Sequence, residues 1–296
     1  MASSIRAFAS PSAGAGSRTR TGHLPGRVLG NQAAAIGLAI VALYVALGLA
    51  ADWLPLRNPL QIVGANRMAG PSWTMPFGAD TFGRDLLSRV VFGARLSLQV
   101  AVLSVTLSLV AGSTLGLVAG YAGGWIDQMI MRSMDVLFAF PAVLLALGVV
   151  AALGPNPSNV VIAIAVVYTP IFARVVRGPV LAIKEREFVD AARALGARAS
   201  RIITFHVLPN LLSVLIVQTS IALSWAVLTE ASLSFLGLSA QPPAPSWGAM
   251  LNEGRQNLEL APHLAIFPGL AIMLAVLGFN LLGDGLRDVL DPRFRR

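Results

Sequence analysis

The chain has no cysteine in its 296 residues, so neither a disulfide framework nor a thiolate metal site can be built from it. Charge is almost as scarce. Asp, Glu, Lys and Arg together make 12% of the sequence, where a soluble domain carries about 25%. That deficit excludes a surface turned wholly toward water. Histidine occurs three times, as His23, His206 and His263, at separations that do not form a metal-ligand spacing. The sequence also lacks a GxxxxGK[ST] phosphate loop and a glycine-rich βαβ fingerprint, so the chain itself should bind no ATP or dinucleotide. It has neither H-E-x-x-H nor G-x-S-x-G, which leaves an intramembrane hydrolase without support. No residue set points to covalent chemistry, and no catalytic, metal or cofactor-binding residue is assigned.

What the chain has instead is apolar sequence, 55% of the total, with Gly and Pro frequent inside the apolar runs. Membrane helices tolerate both, because neighbouring helices satisfy the backbone groups they free. Six segments approach the roughly 20 residues that cross a bilayer. They are Ala33–Ala51, Leu96–Ala119, Val136–Leu153, Val160–Val176, Leu211–Thr229 and Leu264–Leu282. The expected fold class is therefore all-α, a polytopic membrane protein of about six helices. The first run is longer than the roughly 7–15 residue core of a signal peptide and reads as an uncleaved span.

The formal net charge of +8 comes almost entirely from Arg. Nucleic-acid binding is one source of such a bias, but these residues cluster between apolar runs, which is a topology signal. With the N-terminus inside, 16 of the 22 Lys and Arg fall on inner segments and 6 on outer ones. The positive-inside rule then places both termini in the cytoplasm. The division along the chain is a Ser-, Gly- and Arg-rich disordered tail over 1–30, a first span with an outer loop over 31–95, a core over 96–283 and a cytoplasmic tail over 284–296.

In the second span, Ser104, Ser108, Gly112, Gly116 and Gly120 recur at every fourth position. On a helix they form one small-residue ridge that admits a close helix neighbour, in this chain or in another. Singly placed charges offer less. Glu230, near the outer end of the fifth span, reads either as an outer gate or as an interfacial carboxylate paired with an Arg such as Arg255. Arg132 and Asp135 form an i, i+3 pair before the third span. Asp80, Arg84, Asp85 and Arg89 either contact an external partner or stabilise the outer loop.

The most informative stretch is the inner loop 184–210, KEREFVDAARALGARASRIITFHVLPN. Phe188, Ala191, Ala192 and Leu195 stand at i, i+3, i+4 and i+7 and line one helix face. Gly196 stops that helix as a residue free to take positive φ. Ser200 is placed to cap a second turn, and Pro209 lies where the fifth span begins. The loop reads as a helix–turn–helix elbow from Glu187 to Pro209. Docking of a partner and binding to lipid headgroups are both open to it.

The pattern Asp190-Ala191-Ala192-x3-Gly196-x9-His206-x-Leu208-Pro209 resembles the EAA signature of bacterial ATP-binding-cassette importer permeases. Asp190 stands where that family usually has Glu, and His206 where Ile is commoner. The ending His-Val-Leu-Pro-Asn, with the segments Pro76–Leu98, Glu230–Leu251 and Gly283–Arg293, resembles the second permease of the dipeptide, oligopeptide and nickel branch. The resemblance covers nearly all of the chain after residue 30. It implies a type I importer permease fold, with a first helix wrapping a partner permease around a core of five more. It implies that Glu187, Phe188, Asp190, Ala191, Ala192, Leu195, Gly196, His206, Leu208 and Pro209 form a cytoplasmic coupling helix for a separate ATPase. Expected partners are a homologous permease in a heterodimer, two ATP-binding subunits that hold ATP and Mg, an extracytoplasmic binding protein and membrane lipid, with no nucleic acid. The expected location is the bacterial inner membrane. The implied mechanism is alternating access, with dipeptides or oligopeptides as cargo and nickel, glutathione or an oligosaccharide as alternatives. An ion-coupled secondary transporter would need charged residues at midplane, and the six spans carry charge only near their ends. A membrane scaffold would need no docking motif in this loop.

Overall fold

The computed structural model describes residues 30–290. The expected tail over 1–30, apart from Gly30, lies outside the described residues, as does 291–296. Among the described residues the regular structure is helical, with one isolated bridge between Ala79 and Asp85. The helices are α1 (Gln32–Ala50), α2 (Leu86–Ala122), α3 (Gly124–Phe138), α4 (Ala142–Leu153), α5 (Pro157–Lys184), α6 (Glu187–Ala194), α7 (Ala199–Ile202), α8 (Leu208–Phe235), α9 (Trp247–Arg255) and α10 (His263–Leu290). A π turn over Ile203–Val207 joins α7 to α8.

Five of these segments are long and apolar enough to cross a membrane singly, α7 through α8 counting as one. The third expected span is not a single helix. Val136–Phe138 end α3, and the chain bends by 91° before α4 begins. Pro141 is the cause: it has no N–H to give the ladder, and its ring pushes Phe140 out of the helical region. The first span matches its expected bounds to within one residue, and the second, fourth, fifth and sixth run past theirs. The second begins at Leu86 rather than Leu96 and extends for 37 residues, and the sixth continues to Leu290, into the segment read as a tail.

Side-chain caps fix several starts. Asn31 accepts from the Ala34 N–H at 3.1 Å, Asp85 from the Ser88 N–H at 2.8 Å, and Asn156, preceding Pro157, from the Ser158 N–H at 2.9 Å. Packing then orders the helices. The most extensive contact is α2 on α5, and α10 lies between α1 and α8. Helix α1 is apolar all round and buries only Ala34, Gly37 and Gly48, on α10 and α2 of its own chain. Its C-terminal carbonyls at Gly48 and Leu49 accept from Arg95 at 2.9 and 3.4 Å.

These contacts sort the chain ends. The Asn31 side chain reaches Asp288 at 3.4 Å, so the two ends of the described chain lie together. Lys184 lies near Gly123, and Arg193 stands over the Tyr121 ring at 5.9 Å, so the elbow sits by the end of α2 and start of α3. The opposite face carries residues 51–85 and 236–262. There Asp80, Arg84 and Arg89 are buried in one ion-pair cluster, with Arg84–Asp80 at 2.5 Å, Arg89–Asp80 at 3.2 Å, and Glu253 at 3.5 Å from Arg84. Asp85 caps α2. These four residues therefore stabilise the loop and are not a free contact surface. His263 adds a contact from its ring to the Ala79 carbonyl at 3.4 Å.

Candidate docking site on the elbow

Helix α6 starts at Glu187, with Glu187 and Asp190 in its first turn and Arg193 in its last, an order that complements the helix dipole. Gly196 ends it at φ +79°. Its N–H bonds the Arg193 carbonyl at 2.9 Å and the Ala197 N–H bonds the Ala192 carbonyl at 3.0 Å, the paired closure of a Schellman motif. A side chain at 196 would pay the left-handed conformational cost, which glycine avoids.

Val189 is fully buried and fastens α6 to the helices beneath. The face predicted from periodicity points the other way. Phe188 is 42% exposed and Leu195 89% exposed, unusual for large apolar groups unless something covers them. They border a concave groove of about 740 Å³ with Ala191, Ala192, Gly196 and His206. Arg198 and Arg201 add positive charge to its lining. His206 faces Phe188 across it, with ring centroids 6.0 Å apart.

The remaining motif residues lie off this groove. Asp190 accepts from Arg193 at 3.0 Å, Glu187 is exposed in the first turn, and Leu208 and Pro209 open α8. Ser200 does not cap the second turn. Helix α7 starts two residues earlier than expected, behind an extended Arg198, which leaves Ser200 inside it. Two features have no counterpart in the sequence reading: the π turn itself, and Asn210, whose Nδ2 donates to the His206 carbonyl at 2.6 Å. The signal for the first was the spacing of apolar residues around 202–211, which breaks step by one.

The small-residue ridge of α2 faces α5 in the same chain. Ser104, Ser108, Gly112, Gly116 and Gly120 are all buried. The Ser108 hydroxyl donates to the Ala165 carbonyl at 3.2 Å. A Cβ on Gly112 would stand 2.5 Å from the Thr169 carbonyl oxygen and 2.6 Å from Phe172 Cβ, closer than any real contact.

Other charged residues pair differently from expectation. Asp135 accepts from Arg174 at 2.6 Å instead of pairing with Arg132, because α5 brings its arginines alongside α3. Asp127 takes a two-pronged contact from Arg177 at 2.5 and 2.6 Å. Glu230 is fully buried and is not paired with Arg255, which stacks on Phe235. The chain turns back at Gly237 (φ +79°) and lays Ser239 over the carboxylate, whose Oε1 accepts from the Ser239 hydroxyl at 3.3 Å.

Comparison with known proteins places this arrangement. The sequence pattern of the family described as "Binding-protein-dependent transport system inner membrane component" matches residues 112–296. The chain is 49% identical over 265 residues to the dipeptide transport system permease protein DppC of Alkalihalophilus pseudofirmus, covering 90% of this chain and 87% of that one. It is 48% identical over 264 residues to the glutathione transport system permease protein GsiD of Pectobacterium atrosepticum, covering 89% and 87%. Its fold is similar to a chain of the inward-facing MetNI methionine ABC transporter, with a TM-score of 0.58 at 19% identity over 70% of this chain and 98% of that one.

Proposed function

From the premise that the chain belongs to the family of binding-protein-dependent transport system inner membrane components, as the multi-pass permease of an ATP-binding-cassette importer, we propose that its elbow receives a separate ATP-hydrolysing subunit. The observation that carries this reading is the groove beside α6. It is concave, floored by Ala191, Ala192 and Gly196, and flanked by exposed Phe188 and Leu195. A protruding element of a protein fills such a shape, whereas a plane of headgroups leaves it empty.

In this reading the elbow face is cytoplasmic, as are both termini, and the 51–85 and 236–262 face meets an extracytoplasmic binding protein. A homologous permease completes the membrane unit as a heterodimer, its contact including the open side of α1. Two ATPase subunits hold ATP and Mg. Their closure pushes the elbow, α8 carries the push, and the membrane core alternates between inward- and outward-facing states. The cargo is a dipeptide or oligopeptide carried across the bacterial inner membrane. Glutathione is the second reading, because a relative of nearly equal identity carries that name.

The test is Leu195→Asp, which puts a charge on the exposed apolar rim without touching the core. The variant should insert into membranes at the wild-type level but lose the ATPase subunits on purification, and import should stop with them. Retention of those subunits at the wild-type ratio would sink the docking reading.

A further inference from the structure

Below the elbow the buried residues are Ile202, Val207, Leu211 and Leu215, separated by five, four and four positions. An α-helix turns about 100° per residue, so a step of five would swing Ile202 roughly 140° away from the stripe formed by the others. The structure absorbs the surplus residue in the π turn over Ile203–Val207, closed by the Leu208 N–H on the Ile203 carbonyl. Ile202 thereby returns to the buried face, while Thr204 and Phe205 stay exposed.

The sequence supplies a cause. Pro209 has no N–H to offer the Phe205 carbonyl, and in a continuous α ladder its ring would collide with that carbonyl. One residue on, the His206 carbonyl accepts from the side chain of Asn210 at 2.6 Å. His206 is also a wall of the docking groove. The turn thus links the groove directly to the first turn of α8.

We infer that Asn210 and Pro209 are positioning residues which hold the π turn and so set the rotation of the docking groove about the axis of α8. The inference rests on the docking reading above. If the turn closes to α without loss of a residue, the groove swings by about 100° and a subunit seated in it pushes across α8 rather than along it.

The experiment uses the complete transporter, with partner permease, ATPase subunits and binding protein, in proteoliposomes, measuring dipeptide import per ATP hydrolysed. Asn210→Asp keeps the side chain's shape but leaves an acceptor where a donor is needed. Import per ATP should fall by about tenfold, the factor set by one hydrogen bond of ordinary net strength, with the ATPase subunits still bound. Combining Pro209→Ala with deletion of Thr204 removes both the proline and the surplus residue. Ile202 and Val207 are then four apart in an unbroken α-helix, and import should be retained. Wild-type coupling in Asn210→Asp overturns the inference, and so does loss of import in the deletion variant. Loss of the ATPase subunits from Asn210→Asp overturns it as well, because Asn210 would then belong to the docking contact itself. Failure of the docking reading appears separately, as retained ATPase subunits in Leu195→Asp.

Discussion

The indole nitrogen of Trp247 donates to the Val90 carbonyl at 2.9 Å, joining residues 157 positions apart. Trp247 is fully buried, with the Tyr44 ring edge-on to it at 5.4 Å, so one side chain ties α1, α2 and α9 together. Trp247→Phe keeps a ring but removes the donor and some volume. We expect a loss of about 1–3 kcal/mol, read as a lower unfolding midpoint of the detergent-solubilised protein. An unchanged midpoint would mean that this contact contributes nothing.

Gly112 sits where α2 and α5 come closest. Gly112→Val places three carbons where one Cβ already meets the Thr169 carbonyl at 2.5 Å. The helices must separate, at a cost of about 1–3 kcal/mol or more. Gly148, which has open space around its Cβ position, is the control. Its Ala variant should unfold at or slightly above the wild-type midpoint, since alanine favours a helix interior over glycine, while Gly112→Val unfolds earlier, and equal midpoints for the two variants would refute the close-packing account.

Arg177 grips Asp127 with two hydrogen bonds across 50 positions, anchoring α3 to α5. Arg177→Lys keeps the charge and loses the fork. The arginine side chain is 35% exposed, so solvent screens the pair and the expected loss is about 1 kcal/mol or less. The difference between variant and wild type should shrink as salt is raised. A difference that grows with salt would exclude an electrostatic origin.

Glu253 faces the Arg84 and Arg89 guanidiniums and Asp80 on the face opposite the elbow. Burial pushes its carboxyl up from the ordinary 4.5, against the pull of Arg89 and Arg84 and with some help from Asp80. A raised value means the folded state holds the proton more tightly than the unfolded state. The stabilisation this gives is present below 4.5 and is lost as pH rises through the folded value. Measured as unfolding midpoints against pH, wild type should therefore weaken relative to Glu253→Gln across the window just above 4.5. The opposite slope would place the arginines, not burial, in control.

Hydropathy was enough to locate the five segments that are each long and apolar enough to cross a membrane among the described residues, because a run of apolar residues needs no knowledge of its neighbours. The ends were hidden where charge enters a helix. Arg89 lies inside α2 but looks like loop in the sequence, since the Asp80 and Glu253 that neutralise it lie nine residues before it and far along the chain. The 91° bend before α4 was invisible to a hydropathy window, although Pro141 marked its place. At the elbow, the face from Phe188 to Leu195 and the stop at Gly196 follow local rules and could be read directly. The π turn could not, because a shift of one residue within a short segment looks like noise until the buried positions are known. The burial of Glu230 beneath Ser239 depends on a backbone reversal at Gly237 that periodicity does not encode.

The bend at Pro141 sets a limit on what α4 can cross by itself. Helix α4 has 12 residues and at about 1.5 Å each reaches roughly 18 Å, while the hydrocarbon layer is about 30 Å deep. The backbone around Ala139–Pro141 interrupts the ladder at that shortfall, with Phe140, Val143 and Leu144 exposed beside it. Lipid tails offer backbone groups no hydrogen bonds, and the turn answers part of that demand itself: the Ala139 N–H bonds the Asp135 carbonyl at 3.0 Å, the Phe140 N–H the Leu137 carbonyl at 3.4 Å, and the Pro141 carbonyl accepts from the Leu145 N–H at 2.9 Å. Helix α4 by itself is thus a wall of little more than half that depth.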